Sequence, residues 1–191
     1  MRLFVGVRID PVVTSAAGAL IEELRRRATR LAPGARITWI PEERLHLTVR
    51  FIGAADEARV EAIRLALDAP VEVPPFDLTL AGTGAFPPKG APRVLWAGLI
   101  GGREGLLEIE RAVSARLAAI GVPAEERPYN PHLTLARIRD AAGLKAAAVL
   151  DGLEDRVLGA TRVEAITLFE SRLSPTGPEY VPVQQTPLRR P

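Results

Sequence analysis

The two halves of this chain spell the same order of elements, and each half carries the same short string. Residues 46–49 read His-Leu-Thr-Val and residues 132–135 read His-Leu-Thr-Leu. The order in each half is strand, long helix, short strand, histidine strand, helix, strand. The histidines are offset by 132 − 46 = 86 residues, and the first strands by 94 − 3 = 91. A near-constant offset across several elements marks an internal duplication. At 191 residues the chain has the length of one domain, here with two lobes over roughly 1–85 and 90–185.

In the first half, strands are expected over 2–9, 36–40, 45–52 and 76–81, and helices over 14–31 and 56–68. Thr14 is the expected cap of the first helix, and Pro33-Gly34 its end. Residues 82–92 are rich in Gly and Pro and read as a loop. The second half gives strands over 93–100, 122–126 and 131–138, and helices over 103–120 and 140–151. One or two strands follow within 157–170, and a last one over 179–184. The strands lack the unbroken hydrophobic runs of a buried parallel sheet. The expected fold is therefore α+β: a bilobal, duplicated arrangement of two mainly antiparallel sheets flanked by helices around a central cleft.

Composition removes several kinds of chemistry. The chain has no cysteine, so disulfides, thiolate zinc sites, iron–sulfur clusters and a cysteine nucleophile are excluded. That absence fits a reducing cytosol, and a cytoplasmic monomer is the expectation. No apolar run approaches the length of a membrane span. The opening Met1-Arg-Leu-Phe-Val-Gly-Val-Arg-Ile-Asp10 is too short and too alternating for an export signal. A net charge of +2 permits an anionic ligand without demanding one. Aromatics at 5% do not build a broad base-stacking platform.

His46 and His132 are the only histidines, hence the only imidazoles available for acid–base work near neutral pH. Side chains on a strand alternate faces, so His46 and Thr48 project together, as do His132 and Thr134. Each strand offers one imidazole and one hydroxyl, about 7 Å apart at their Cα atoms. Symmetry would bring the two pairs to one cleft. No His-Glu-x-x-His string and no Gly-x-Ser-x-Gly string occurs, so neither a metal site nor a serine triad is expected. Two imidazoles and two hydroxyls suit phosphodiester chemistry. One histidine takes a proton from water, the other gives one to the leaving oxygen, and the hydroxyls bind the phosphate oxygens. A strained, activated ester such as a 2′,3′-cyclic phosphate is the natural substrate for such a site.

At these residues the chain resembles the two-histidine phosphoesterase superfamily, and within it the RNA 2′,3′-cyclic phosphodiesterase (2′-5′ RNA ligase) family. The resemblance runs nearly end to end. It covers Met1–Val7, Thr38–Thr48 with Phe51-Ile52-Gly53, Arg93–Gly98, Arg127–Arg137, Leu168–Ser171 and Gly177–Tyr180. It implies a bilobal fold and hydrolysis of a terminal 2′,3′-cyclic phosphate to a 2′-phosphate, with the 3′ oxygen leaving. It implies His46 as proton donor and His132 as proton acceptor, no cofactor and no metal. The implied partners are RNA ends or nucleotides bearing a cyclic phosphate. A reverse reaction, forming a 2′-5′ linkage, also falls within the family.

Arg137 and Arg50 are the candidate substrate-binding residues. Arg50 shares the His46 face by parity, with a solvated strand-end charge as the other reading. Arg137 falls opposite His132 unless a bulge or the strand end intervenes, and is otherwise a surface or lobe-contact arginine. Phe51 falls on the core side. Phe4 and Trp39 are core fillers or base-stacking residues, and Arg25, Arg26, Arg27 and Arg30 the solvated side of a helix or an RNA-backbone contact. Two other readings stay open: action on 2′-5′ oligonucleotides or small cyclic nucleotide phosphates, and a nucleotide-binding module without turnover.

Overall fold

The computed structural model describes residues 1–174 and 177–190. Its elements, in chain order, are β1 (Arg2–Arg8), α1 (Pro11–Leu31), β2 (Arg36–Trp39), β3 (His46–Ala54), α2 (Glu57–Ala66), β4 (Phe76–Phe86) and β5 (Val94–Gly101). There follow α3 (Arg103–Ala119), β6 (Leu133–Asp140), α4 (Ala146–Leu150), β7 (Val157–Val163), β8 (Ala165–Ser174) and β9 (Gly177–Pro187). The fold is α+β. Strand pairs within the sheet are antiparallel.

The two expected antiparallel sheets are the two ends of one. The strand order is β7-β4-β5-β6-β3-β1-β8-β9, with β2 added on β6. The two histidine strands meet in the middle, and Leu47↔Leu133 is their one registered pair. Both leucines are fully buried. A single pair cannot hold two lobes, and the chain interlocks them by exchange. First-half β4 pairs with β5 and β7, whereas β8 and β9, from the chain's end, extend the β1 side. The long helices also cross: α1 packs on β7, β6 and α4, and α3 packs on β3 and α2.

The helices form where sequence chemistry allows. α1 begins at Pro11 rather than Thr14, because Asp10 accepts a hydrogen bond from the Val12 N–H (2.8 Å) and Pro11 loses nothing at a first-turn position. Val13, Ala17, Leu20, Ile21, Leu24 and Ala28 form its buried stripe. α3 buries Leu106, Ile109, Val113 and Leu117 in the same way. α4 is shorter than the expected 140–151, because Ala142 and Gly143 both have positive φ and close a turn there. β4 runs on into the expected Gly-rich loop as far as Phe86. Gly84 lies under the Trp96 indole, where any Cβ would meet the ring at 2.1 Å, so glycine lets the strand continue. Residues 122–126 form no strand.

Candidate active site

Each histidine strand carries a β-bulge at the same place. Pairing with β1 passes from Val5↔Arg50 to Gly6↔Thr48, leaving Val49 unpaired. Pairing of β6 with β5 passes from Leu95↔Ala136 to Trp96↔Thr134, leaving Leu135 unpaired. Val49 and Leu135 both stand three residues after their histidine. One extra residue reverses the facing of everything beyond it. Arg50 and Ala136 therefore turn into the core, and Phe51 and Arg137 turn out.

This corrects two parity expectations. Arg50 is 2% exposed and away from the cleft. Its guanidinium donates to the Pro123 carbonyl, and Nη1 lies 3.1 Å from Glu125 Oε1, near enough for an ion pair but off hydrogen-bond geometry. It is a structural residue where a substrate-binding one was expected. Phe51, expected in the core, is 56% exposed on the cleft wall. Arg137 reaches the cleft through the bulge that simple alternation lacks.

The cleft has two chambers. One, of about 290 Å³, is lined by Phe4, Arg44, His46 and Tyr180. The other, of about 660 Å³, is lined by Phe86, Arg93, Arg127, Tyr129 and His132. Thr48, Phe51, Thr134 and Arg137 line both. The four expected residues thus meet around one partition, with an imidazole on either side.

The imidazoles are held alike. His46 Nδ1 lies 2.8 Å from the Arg44 carbonyl oxygen, and His132 Nδ1 lies 2.7 Å from that of Asn130. A carbonyl only accepts, so Nδ1 carries the proton on both rings and Nε2 is left for chemistry. His46 Nε2 is 3.1 Å from Thr48 Oγ1, so the hydroxyl donates to the neutral ring. Phe4 (4.8 Å between centroids) and the edge-on Tyr180 (4.7 Å) pack against His46, and Phe86 stands edge-on to His132 at 5.1 Å.

Burial lowers both histidine pKa values below the usual 6.5. The carbonyl bonds oppose that shift, and the Arg137 guanidinium adds to it at both rings. One arginine that disfavours charge on either imidazole stands within electrostatic reach of both. The chain can therefore take a proton at one ring and give one at the other, across a position where a cation and two hydroxyls await negative charge.

Each histidine's lead-in is also tied to the other strand. Ahead of His46, β2 pairs with β6, and the Ile40 N–H donates to the Leu135 carbonyl (2.9 Å). Ahead of His132, the Tyr129 hydroxyl donates to the Thr48 carbonyl (3.0 Å). Burial pushes the Tyr129 hydroxyl pKa upward, which keeps it a donor. Among the described residues, no three of His, Asp or Glu group to hold a metal ion, and no helix is long and apolar enough to cross a membrane.

Residues 12–174 match the family model described as the 2′-5′ RNA ligase superfamily. The chain belongs to this superfamily. An RNA 2′,3′-cyclic phosphodiesterase of Aeropyrum pernix is 36% identical over 148 residues, covering 77% of this chain and 84% of the relative. One from Thermus thermophilus is 34% identical over 198 residues, covering 99% and 91%. A crystal structure from Thermus thermophilus superposes with a TM-score of 0.75 at 29% identity, covering 100% of this chain and 99% of that one.

Of the residues expected from the sequence in this superfamily member, the structure brings both His-Thr pairs and Arg137 to the cleft. Sequence reasoning missed the rings that pack on the histidines, Phe86 and Phe169 among them, and the tie from Tyr129. Tyr129 and Tyr180 stood within segments noted for resemblance, with no signal that would give them a task. Phe4 lies against the His46 ring and is 3% exposed, so it supports the imidazole from the core side. Trp39 packs partly buried against the core.

Proposed function

We propose that this chain is an RNA 2′,3′-cyclic phosphodiesterase that opens a terminal cyclic phosphate to a 2′-phosphate by two-histidine acid–base catalysis. The observation that carries this reading is the matched pair of Nδ1–H to carbonyl bonds, which leaves Nε2 of both rings for chemistry beside Thr48, Thr134 and Arg137. The names of the Aeropyrum and Thermus relatives support it.

Neutral His132 removes a proton from water through Nε2, and the hydroxide forms a bond to phosphorus. The bond from phosphorus to the 3′ oxygen breaks, and protonated His46 supplies the proton that oxygen needs. While His46 is neutral its Nε2 occupies the Thr48 hydroxyl. Once protonated, the ring no longer accepts, and that hydroxyl is released to the phosphate oxygens. Thr134 and Arg137 complete the stabilisation of charge that builds on them. The substrate is an RNA end or a nucleotide, no metal takes part, and the direction of proton flow follows the family's assignment.

The test is turnover of an RNA ending in a 2′,3′-cyclic phosphate, with EDTA present. The expected product carries its phosphate on the 2′ oxygen. A 3′-phosphate product, or turnover that survives His46→Ala or His132→Ala unchanged, overturns the reading.

A further inference from the structure

We propose that the larger chamber, on the His132 side, is a binding site for a second nucleotide of the RNA, with Arg93 and Arg127 as ligands for its phosphate. This rests on the phosphodiesterase reading and gives that enzyme a substrate of at least two nucleotides. The reacting phosphate belongs at the partition shared by both chambers. The His46 chamber, about 290 Å³, has the size of a site for one small ligand, and the other, about 660 Å³, is more than twice as large. A nucleotide held in the smaller chamber leaves the larger one free for its neighbour.

The chemistry of that space is that of an anion site. Arg93, Arg127 and Arg137 line it, and none of the three guanidiniums has a hydrogen bond or ion pair to protein among the described residues. The chamber's one carboxylate, Glu125, is committed elsewhere: it faces buried Arg50 and accepts the Phe51 N–H (3.1 Å). Three cations in one concavity without counter-charge repel one another, and a phosphodiester relieves that repulsion through paired N–H···O contacts. The backbone beneath Arg93 is tied into the sheet, and Arg127 lies close to a tied residue. The Arg93 carbonyl accepts the Ile138 N–H (2.8 Å), beside the registered pair Val94↔Arg137. Arg127 lies two residues before Tyr129, which is bonded to β3. Phe51 and Phe86 add ring surface for a base, which stacks without regard to its identity. Continuity with the reacting position favours RNA over an acidic peptide.

A second nucleotide can reach this chamber from either side of the reacting phosphate. The experiment therefore uses three substrates: adenosine 2′,3′-cyclic phosphate, a dinucleotide ending in a cyclic phosphate, and a 2′-5′-linked dinucleotide. Wild type and the Arg93→Gln/Arg127→Gln double variant are compared on each. One dinucleotide is expected to exceed the mononucleotide in kcat/KM. On that dinucleotide the double variant loses at least tenfold more than on the mononucleotide, through KM, and the paired Lys substitutions restore part of it. The dinucleotide affected tells which side the strand enters. Binding of a dinucleotide 2′-phosphate, followed without turnover, loses salt dependence by a log–log slope of about 0.7 per guanidinium removed. Equal kcat/KM for all three substrates, or equal losses on all three, overturns the site. Absence of turnover by wild type overturns the phosphodiesterase reading instead, and the binding experiment then decides the site alone.

Discussion

Phe51 and Arg137 occupy the same place in the two histidine strands, each five residues after its histidine and two after the bulge that turns it into the cleft. Two strands with the same bulge thus present an aromatic ring from one and a guanidinium from the other. The two His-Thr pairs are chemically alike, and this difference breaks their equivalence. A symmetric site would have no reason to favour one proton direction. Here one cation sits on one partner's strand and acts on both imidazoles.

Arg137→Gln is expected to lower kcat/KM about 10²–10³-fold, the scale for removing one preorganised donor to developing charge. The same change should raise the pKa of both histidines, since a positive charge that opposed protonation has gone. Titration of the ring protons by NMR reads each histidine separately. If only one responds, the guanidinium does not stand between them.

Both folded-state histidine pKa values lie below 6.5, which sets the pH profile. With the proposed roles, His132 acts neutral and His46 charged, so kcat/KM rises as the first loses its proton and falls as the second does. The bell is centred midway between two depressed values, hence below pH 6.5. A maximum at pH 7.5 or above would contradict the assigned pair. Stability follows the same groups. A histidine harder to protonate when folded favours the unfolded chain once pH drops below about 6.5, so the urea midpoint falls between pH 7 and 5. His46→Gln with His132→Gln should flatten that fall.

The duplicated pattern made the α+β class, the helices α1, α2 and α3 and both His-Thr pairs legible, because periodicity in buried leucines and strand alternation are local properties. The exchange of β4 and β8 between lobes was not, because strand partners are chosen by packing across the molecule. Arg50 and Phe51 show the limit most sharply. Parity holds from His46 to Thr48 and fails at Val49, since a bulge is a property of two strands and no residue in His-Leu-Thr-Val-Arg-Phe demands one. The second string ends Leu-Ala-Arg, where either a bulge or the strand end could bring Arg137 to the site, and the bulge is what does so.

Leu47 is expected to be the most costly single truncation. It is fully buried and forms the one registered pair between the histidine strands. Leu47→Ala should cost about 2–5 kcal/mol, as large-to-small changes in a closed core do. Because the lobes also exchange strands, unfolding should remain one transition. Two separated transitions in urea, followed by near-UV and far-UV signals together, would show that the exchange does not couple them.

Arg50 and Glu125 connect the bulge of β3 to the segment that leads into His132. The Arg50 side chain is nearly fully buried while the Glu125 side chain is 42% exposed, so their loss is unequal. Arg50→Met keeps the stem but leaves the Pro123 carbonyl without its donor, at about 1–3 kcal/mol. Glu125→Gln should cost less than about 1 kcal/mol, because water screens the carboxylate and an amide oxygen can still accept the Phe51 N–H. Both are read from the urea midpoint with the slope unchanged. The functional consequence runs through geometry. Residues 123–130 end in the Asn130 carbonyl that fixes the His132 tautomer, so loosening them should lower kcat about tenfold in Arg50→Met, with KM little changed. The 15N shifts of His132 should move toward mixed tautomers while those of His46 stay. If Arg50→Met keeps wild-type stability, the buried guanidinium adds nothing net, as buried ion pairs sometimes do. If kcat and the His132 shifts also stay unchanged, the path from β3 to the second imidazole is broken.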